Sequence, residues 1–312
     1  MSTWVIPYVD QDLSFWEEVA DRFGAHIEEV YFPIPGGIVA SGRGKQPDAF
    51  LETFLRRVPL PKAVLINPII LSRPVEEMAP AVLSALQRLH QDWGVSRVTV
   101  THPALARLIR QAYPEFKIAA SVLMGISRPS QVLMIQDYVD AITPDNSLVR
   151  DLHGLRRLRN VFSGEIRLIV NEACIPGCPF RTQHFYEMGY GDSLPHSLCQ
   201  QTLAEHPWLR LTGAWVLPHH LGHYEGLYDT LKLAGRVTLR DRARYLAVLD
   251  AYVYRQPLLP RDIGGGPASV LEAIDVPDEL FETLLHCDKN CHTCSRCRDY
   301  YEQALAGQKE VR

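Results

Sequence analysis

The feature that most constrains this chain is a repeated pairing: a short apolar run rich in Val, Ile and Leu, then an amphipathic segment. Strand-like runs occur at Trp4–Val9, Glu29–Ile34, Ala63–Leu71, Ser96–Thr101, Lys117–Leu123, Val139–Thr143, Glu165–Val170, Leu209–Leu217 and Thr230–Leu233. Between most of them lie segments of helical periodicity, such as Leu13–Arg22, Val75–Trp93, Pro103–Tyr113 and Leu148–Asn160. Strands each followed by a helix predict βαβ units and a parallel sheet covered on both faces. Eight or nine such units favour closure into a TIM-like (β/α)8 barrel, with an open doubly wound sheet as the competing arrangement. A length of 312 residues is compatible with one barrel.

The pattern changes near residue 260. Pro260–Pro267 reads PRDIGGGP, a breaker-rich linker. A short acidic helix is expected over Ala268–His286, then the run CDKNCHTCSRC and a polar tail. The chain therefore divides into a barrel, residues 1–260, and a linker with a cysteine-bearing tail, residues 261–312. A hydrophobic content of 46% supplies a large core, and a net charge of −4 gives no overall basic excess pointing to DNA. The opening MSTWVIPYVDQDL lacks a basic segment followed by an apolar one, and no apolar run reaches the ~18 residues of a membrane span. A cytoplasmic protein without a membrane span is expected.

All seven cysteines, Cys174, Cys178, Cys199, Cys287, Cys291, Cys294 and Cys297, fall after residue 173. An odd count in a reducing compartment suits a disulfide framework poorly and suits metal ligation better. Cys174 and Cys178 follow the strand Glu165–Val170 directly, where a parallel barrel builds its functional face, and Cys199 comes after an expected helix at Gln183–Met188. The second group has the spacing C-x3-C-x2-C-x2-C. Dense runs of this kind wrap iron–sulfur clusters; a zinc site would usually add a second separated pair. Zinc, free thiols and buried packing thiols are the competing readings. The first three cysteines of the run match the radical S-adenosylmethionine spacing. Only about fifteen residues follow Cys297, too few to build a domain around such a cluster.

Seven thiols fall short of the eight that two fully thiolate-ligated [4Fe-4S] clusters need. Either the tail run holds one cluster and Cys174, Cys178 and Cys199 hold a second with an open site, or those three share one cluster with a tail cysteine.

Three stretches resemble the peptidase U32 family: Ile142–His184 with Pro144, Asn146, Arg150–Asp151, Asn171 and Cys174–Arg181; Tyr224–Arg236, where Lys232-Leu-Ala-Gly-Arg236 is similar to a K-I-x-G-R motif; and the terminal cysteine run. The resemblance covers about residues 60–300. It implies a TIM-like barrel with a four-iron cluster at its mouth. It further implies oxygen-independent hydroxylation of a small-molecule or RNA-linked substrate, as on quinone precursors or RNA bases. Some members use prephenate as the oxygen source, and some work with a homologous partner subunit. Two departures stand out. Ala234 replaces the Glu of the K-I-E-G-R form, and the extended tail run is not general in the family. The family's peptidase name is a separate reading. The sequence offers no G-x-S-x-G elbow and no H-E-x-x-H helix to support it.

Other candidates cluster at strand ends. His219, His220 and His223 follow the run Leu209–Leu217; His219 and His223 would share a face if helical, for metal ligation or proton transfer, against a plain polar loop. Asn171 is a candidate for bonding substrate or a cluster sulfide. Glu172 is a candidate acid or base, or a partner for Arg181. Lys232 and Arg236 suit an anionic substrate group, against a structural salt bridge. Asn67, His102, Ser121 and Asp145 are weaker candidates. Gly36–Lys45 is not a phosphate loop: Val39 and Gln46 stand where Gly and Ser or Thr are required. Arg150, Arg156, Arg157 and Arg159 are placed on one helix, as a solvated face or an RNA contact.

Overall fold

The computed structural model describes residues 2–39, 48–190, 197–236, 238–263 and 276–310. Eight parallel strands close into a barrel in chain order, with β8 pairing back to β1. They are β1 Thr3–Pro7, β2 Ile27–Pro33, β3 Lys62–Ile66, β4 Arg97–Val100, β5 Lys117–Ala120, β6 Ala141–Ile142, β7 Glu165–Ile169 and β8 Thr230–Lys232. The helices are α1 Leu13–Phe23, α2 Leu51–Arg57, α3 Val75–Trp93, α4 Pro103–Ala112, α5 Pro129–Leu133, α6 Leu152–Val161, α7 Arg181–Tyr190, α8 Ser197–Glu205, α9 Arg242–Val253, α10 Asp278–Leu285 and α11 Arg296–Glu310. Closure excludes the open sheet.

Local chemistry sets the element ends. Asp12, Asp151 and Asp241 each accept a hydrogen bond from a first-turn amide of α1, α6 and α9. Gly94 ends α3 at φ 66°, a left-handed cap that an L side chain would strain. Within the strands, side chains alternate. Trp4, Ile6, Val30, Phe32, Val64 and Ile66 join the main core, while Val5, Tyr31, Ala63 and Leu65 form a separate small cluster. By that alternation the second set faces the barrel lumen.

The lumen also holds an ionic network. Glu29 of β2 and Arg167 of β7, alternating with core positions, are each 1% exposed. Arg167 grips Glu29 with both terminal nitrogens and donates from Nε to Glu165 at 3.0 Å. Lys117 joins Glu28 at 2.9 Å and Glu165 at 2.8 Å. Burial opposes ionisation of Glu165, but Arg167 and Lys117 outweigh it and hold the carboxyl at about 2. These residues sit near the strands' N-terminal ends, the face that stabilises a barrel rather than the one that reacts.

One expected strand is absent. Pro207–Thr212 is a 3-10 turn, and Trp215 makes only an isolated antiparallel bridge to Asn171. Pro207 and Gly213 interrupt the apolar run, and eight other strands already fill the barrel. Leu211, Ala214, Trp215, Val216 and Leu217 are apolar because they are buried above the strand ends. Of the expected glycine-rich loop Gly36–Lys45, residues 40–45 lie outside the described residues. So do residues 264–267 of the linker and 268–275 of the acidic helix; α10 covers the helix's later part. Among the described residues, no helix is long and apolar enough to cross a membrane.

Candidate functional site

β7 ends at Ile169, and two residues later Asn171 locks the loop after the strand to β8. Asn171 is fully buried; its Nδ2 donates to the carbonyls of Ala234 (2.9 Å) and Ile263 (3.0 Å), and its Oδ1 accepts from the Ala234 amide (2.7 Å). Every polar atom of the amide is thus used on backbone, which makes Asn171 the staple between the β7 loop and the Lys232–Arg236 segment. Glu172 pairs with Arg181 at 2.8 Å, nearly out of solvent, so the start of α7 is tied to the same loop.

The loop then presents Cys174 and Cys178. The Cys178 amide donates to the Ile175 carbonyl at 3.2 Å, with Gly177 at φ 68° completing the turn. Cys199, from α8, lies within hydrogen-bonding reach of Cys178. Burial, then Cys178, raises its thiol pKa, against Arg210.

The tail builds the second thiol group by local hydrogen bonds. The Asp288 carboxylate accepts from the Asn290 amide at 3.0 Å, and the Asn290 carbonyl accepts from the Thr293 and Cys294 amides. Lys289 takes φ 62°, rare for a residue with a Cβ, and its amide donates to Cys287 Sγ at 3.2 Å. Burial and the neighbouring thiols of Cys287, Cys291 and Cys294 push Cys297 up to about 11.

The tail run packs beside the β7 loop over the barrel mouth. A cavity of about 510 Å³ is lined by all four tail cysteines, by Ile175 and Pro176 between Cys174 and Cys178, by Trp208 and by Arg150. Arg298 of α11 stacks over Trp208 at 5.3 Å, while Tyr300, Tyr301 and Ala304 pack on the core. Arg150 is 4% exposed, donates to the Trp215 carbonyl at 2.9 Å and stacks on both Trp215 and Phe281 at 4.7 Å. It precedes α6 and is separated from its expected companions. Arg159 pairs with Asp229 and Arg157 lies 3.9 Å from Asp151, so no four-arginine face forms.

The histidines also sort differently from the α-helical spacing. Pro218–Tyr224 is a 3-10 helix with about three residues per turn, which brings His220 and His223 to one side rather than His219 and His223. His220 stacks on Phe281 at 3.8 Å, with His223 5.8 Å from the same ring. Burial, with His219 and Arg150, lowers the His220 pKa to about 3, so the ring is neutral. Ser121 and Asp145 cap short turns by accepting from Leu123 and Ser147 amides, which explains their places at strand ends.

At the end of β8, Lys232 lies in the lumen with Nζ 4.5 Å from the centre of the Tyr31 ring; Arg236 approaches the same ring at 6.0 Å. Burial, with Arg167, brings the Lys232 ammonium down to about 7. Three participants escape the sequence reading: Tyr31, Asp278 and the mouth-facing role of Arg150. The signal for Tyr31 is its alternation with Val30 and Phe32. For Asp278 it is an acid just after Pro277 at a helix start.

No family model matches the chain. An uncharacterized protease of Methanocaldococcus jannaschii is 25% identical over 234 residues, 68% of this chain and 67% of that protein. The solved structure of the U32 peptidase Mk0906 shares the fold, with a TM-score of 0.55 and 16% identity over 75% of this chain and 92% of that one. Both likenesses support the resemblance to the peptidase U32 family. The donor set suits a cysteine-ligated cluster: seven cysteines, none in a disulfide, with Cys199 beside Cys178 and the tail four beside one another. A tetrahedral zinc site would draw its sulfurs to about 3.8 Å of one another. Among the described residues the only group of three potential ligands within 4.8 Å is His219, His220 and Asp278, so no thiol group is drawn in that tightly.

Proposed function

We propose that this chain is an iron–sulfur enzyme of the U32 family that carries out redox chemistry, of the oxygen-independent hydroxylation type, on a small-molecule or RNA-linked substrate. The observation that carries the reading is that the four tail cysteines line one cavity with Ile175 and Pro176, the residues between Cys174 and Cys178 in the β7 loop. Cys174, Cys178 and Cys199 would hold one cluster, and Cys287, Cys291, Cys294 and Cys297 a second or the missing ligand of the first. A bound cluster supplies one-electron transfer or a Lewis-acidic iron.

The rest falls to the chain's own side chains. Arg236 and Lys232 receive an anionic group of the substrate, Arg236 as a permanent charge. Lys232 Nζ, poised near neutrality, gives or takes a proton there. Asn171 and Glu172 hold the loop that carries the thiols. Arg150, buried against Trp215, sets a fixed positive charge on the cavity wall. A cytoplasmic setting and a homologous partner subunit fit this chemistry.

The name of the archaeal relative favours a second reading, peptide hydrolysis with the cluster as a structural element. One preparation separates the two. The protein is purified without oxygen, iron and acid-labile sulfide are counted, and EPR is recorded after dithionite. About four irons per chain fit one shared cluster and about eight fit two. Zinc without sulfide refutes the redox reading. Cleavage of an unfolded protein substrate that persists in a Cys178→Ser variant selects the peptidase.

A further inference from the structure

Beside the thiols, a different set of metal-binding atoms comes together. His219 and His220 lie on the 3-10 helix Pro218–Tyr224; Asp278 is the first residue of α10. His220 Nε2 lies 3.1 Å from Asp278 Oδ1, and His219 Nε2 lies 3.9 Å from it. One ligand atom from each of the three falls within 4.8 Å of the others. His220 is fully buried, yet neither ring nitrogen makes a hydrogen bond. Its approach to Asp278 is close but misaligned for one. A buried imidazole with both nitrogens unsatisfied costs roughly 1–3 kcal/mol per group unless something else binds there.

We propose that His219, His220 and Asp278 bind a divalent first-row metal ion of the Zn²⁺ or Fe²⁺ class, which fastens α10 to the loop above the barrel. Two imidazoles and one carboxylate are a donor set both ions accept, leaving the remaining positions to water. Phe281, one turn along α10 from Asp278, stacks on His220 and holds its ring in place. Arg150 stacks on the same phenyl ring and its charge opposes a cation, so binding is weaker than at a closed structural zinc site. The ion would hold the helix that leads directly to Cys287, and so set where the tail cysteines sit over the mouth. The site is separate from the thiols in ligand type and stands whether or not they hold iron.

The test is cobalt binding to the full chain, purified without oxygen and retaining whatever its cysteines hold. Cobalt on nitrogen and oxygen donors gives weak visible bands; cobalt on thiolates adds an intense near-ultraviolet band. The wild type is expected to take up one cobalt ion with the first signature and to melt at a higher temperature with it. Asp278→Asn and His219→Gln, both at exposed positions, are each expected to weaken that binding about tenfold or more. Their iron content and far-ultraviolet circular dichroism should match the wild type. Equal cobalt affinity in the wild type and both variants, or a cobalt spectrum that is thiolate alone, overturns the proposal.

Discussion

Replacing Asn171 tests how the barrel mouth is held. In Asn171→Ala, three buried backbone groups lose their partners: the Ala234 amide, the Ala234 carbonyl and the Ile263 carbonyl. Each unsatisfied group costs about 1–3 kcal/mol. The three share one side chain and are not additive, so a total of roughly 3–5 kcal/mol is expected. Asn171→Asp is more revealing because the shape is kept. One carboxylate oxygen still accepts from the Ala234 amide, but the other faces two carbonyl oxygens about 3 Å away, in place of Nδ2. That repulsion and burial raise the new carboxyl's folded pKa above the unfolded ~3.9. The folded state then binds the proton more tightly, so stability relative to wild type recovers as pH falls. It recovers by about 1.4 kcal/mol per unit between the folded and unfolded pKa values. Urea unfolding of wild type and both variants from pH 7 to pH 4.5 measures this. An alanine variant within about 1 kcal/mol of wild type, or an aspartate variant whose deficit is flat with pH, would refute the staple.

Two further predictions concern packing. Arg167→Met removes the two-pronged partner of buried Glu29, leaving it only Arg97 at 3.5 Å, and should cost about 3–5 kcal/mol. Glu165, held at about 2 in the fold against 4.5 unperturbed, contributes stability above about pH 4.5 that is lost as pH falls towards 2. The same variant should therefore unfold at a higher pH than wild type in an acid titration followed by circular dichroism. Gly213→Ala would place a methyl 2.8 Å from Trp215 Cδ1 and 3.0 Å from the Ala173 carbonyl. It should cost about 1–3 kcal/mol and change Trp215 fluorescence; if the proposed cluster is held there, iron content falls too, because the displaced carbonyl adjoins Cys174.

Much of the barrel is legible in the sequence because the strands are buried on the helix side. Their Val and Ile runs recur between segments of clear helical period, and Val75–Trp93 matches its helix end to end. The failure at Leu209–Leu217 shows the limit of that signal. Apolar content reports burial, not backbone form, and Trp215 is as buried as any strand residue. The loop cysteines are readable from their position after β7. The meeting of residues 175–176 with residues 287–297 is not, since it depends on α11 packing against Pro207–Thr212, a contact across about ninety residues. The histidines fail for a narrower reason. A 3-10 turn and an α-turn put different pairs on one side, and PHHLGHY does not distinguish them.

The sharing of one cavity by the β7 loop and the tail also imposes an order on biosynthesis. Cys174 and Cys178 leave the ribosome well before Cys287 is made. At 5–20 residues per second the gap is on the order of ten seconds. During that time the barrel strands through β8 have emerged and can close, while the loop residues Ile175 and Pro176 lack the tail that later completes their cavity. On the proposed iron–sulfur reading, a donor reaching the chain in that interval would meet Cys174 and Cys178 on a nearly finished scaffold, before the tail packs beside their loop.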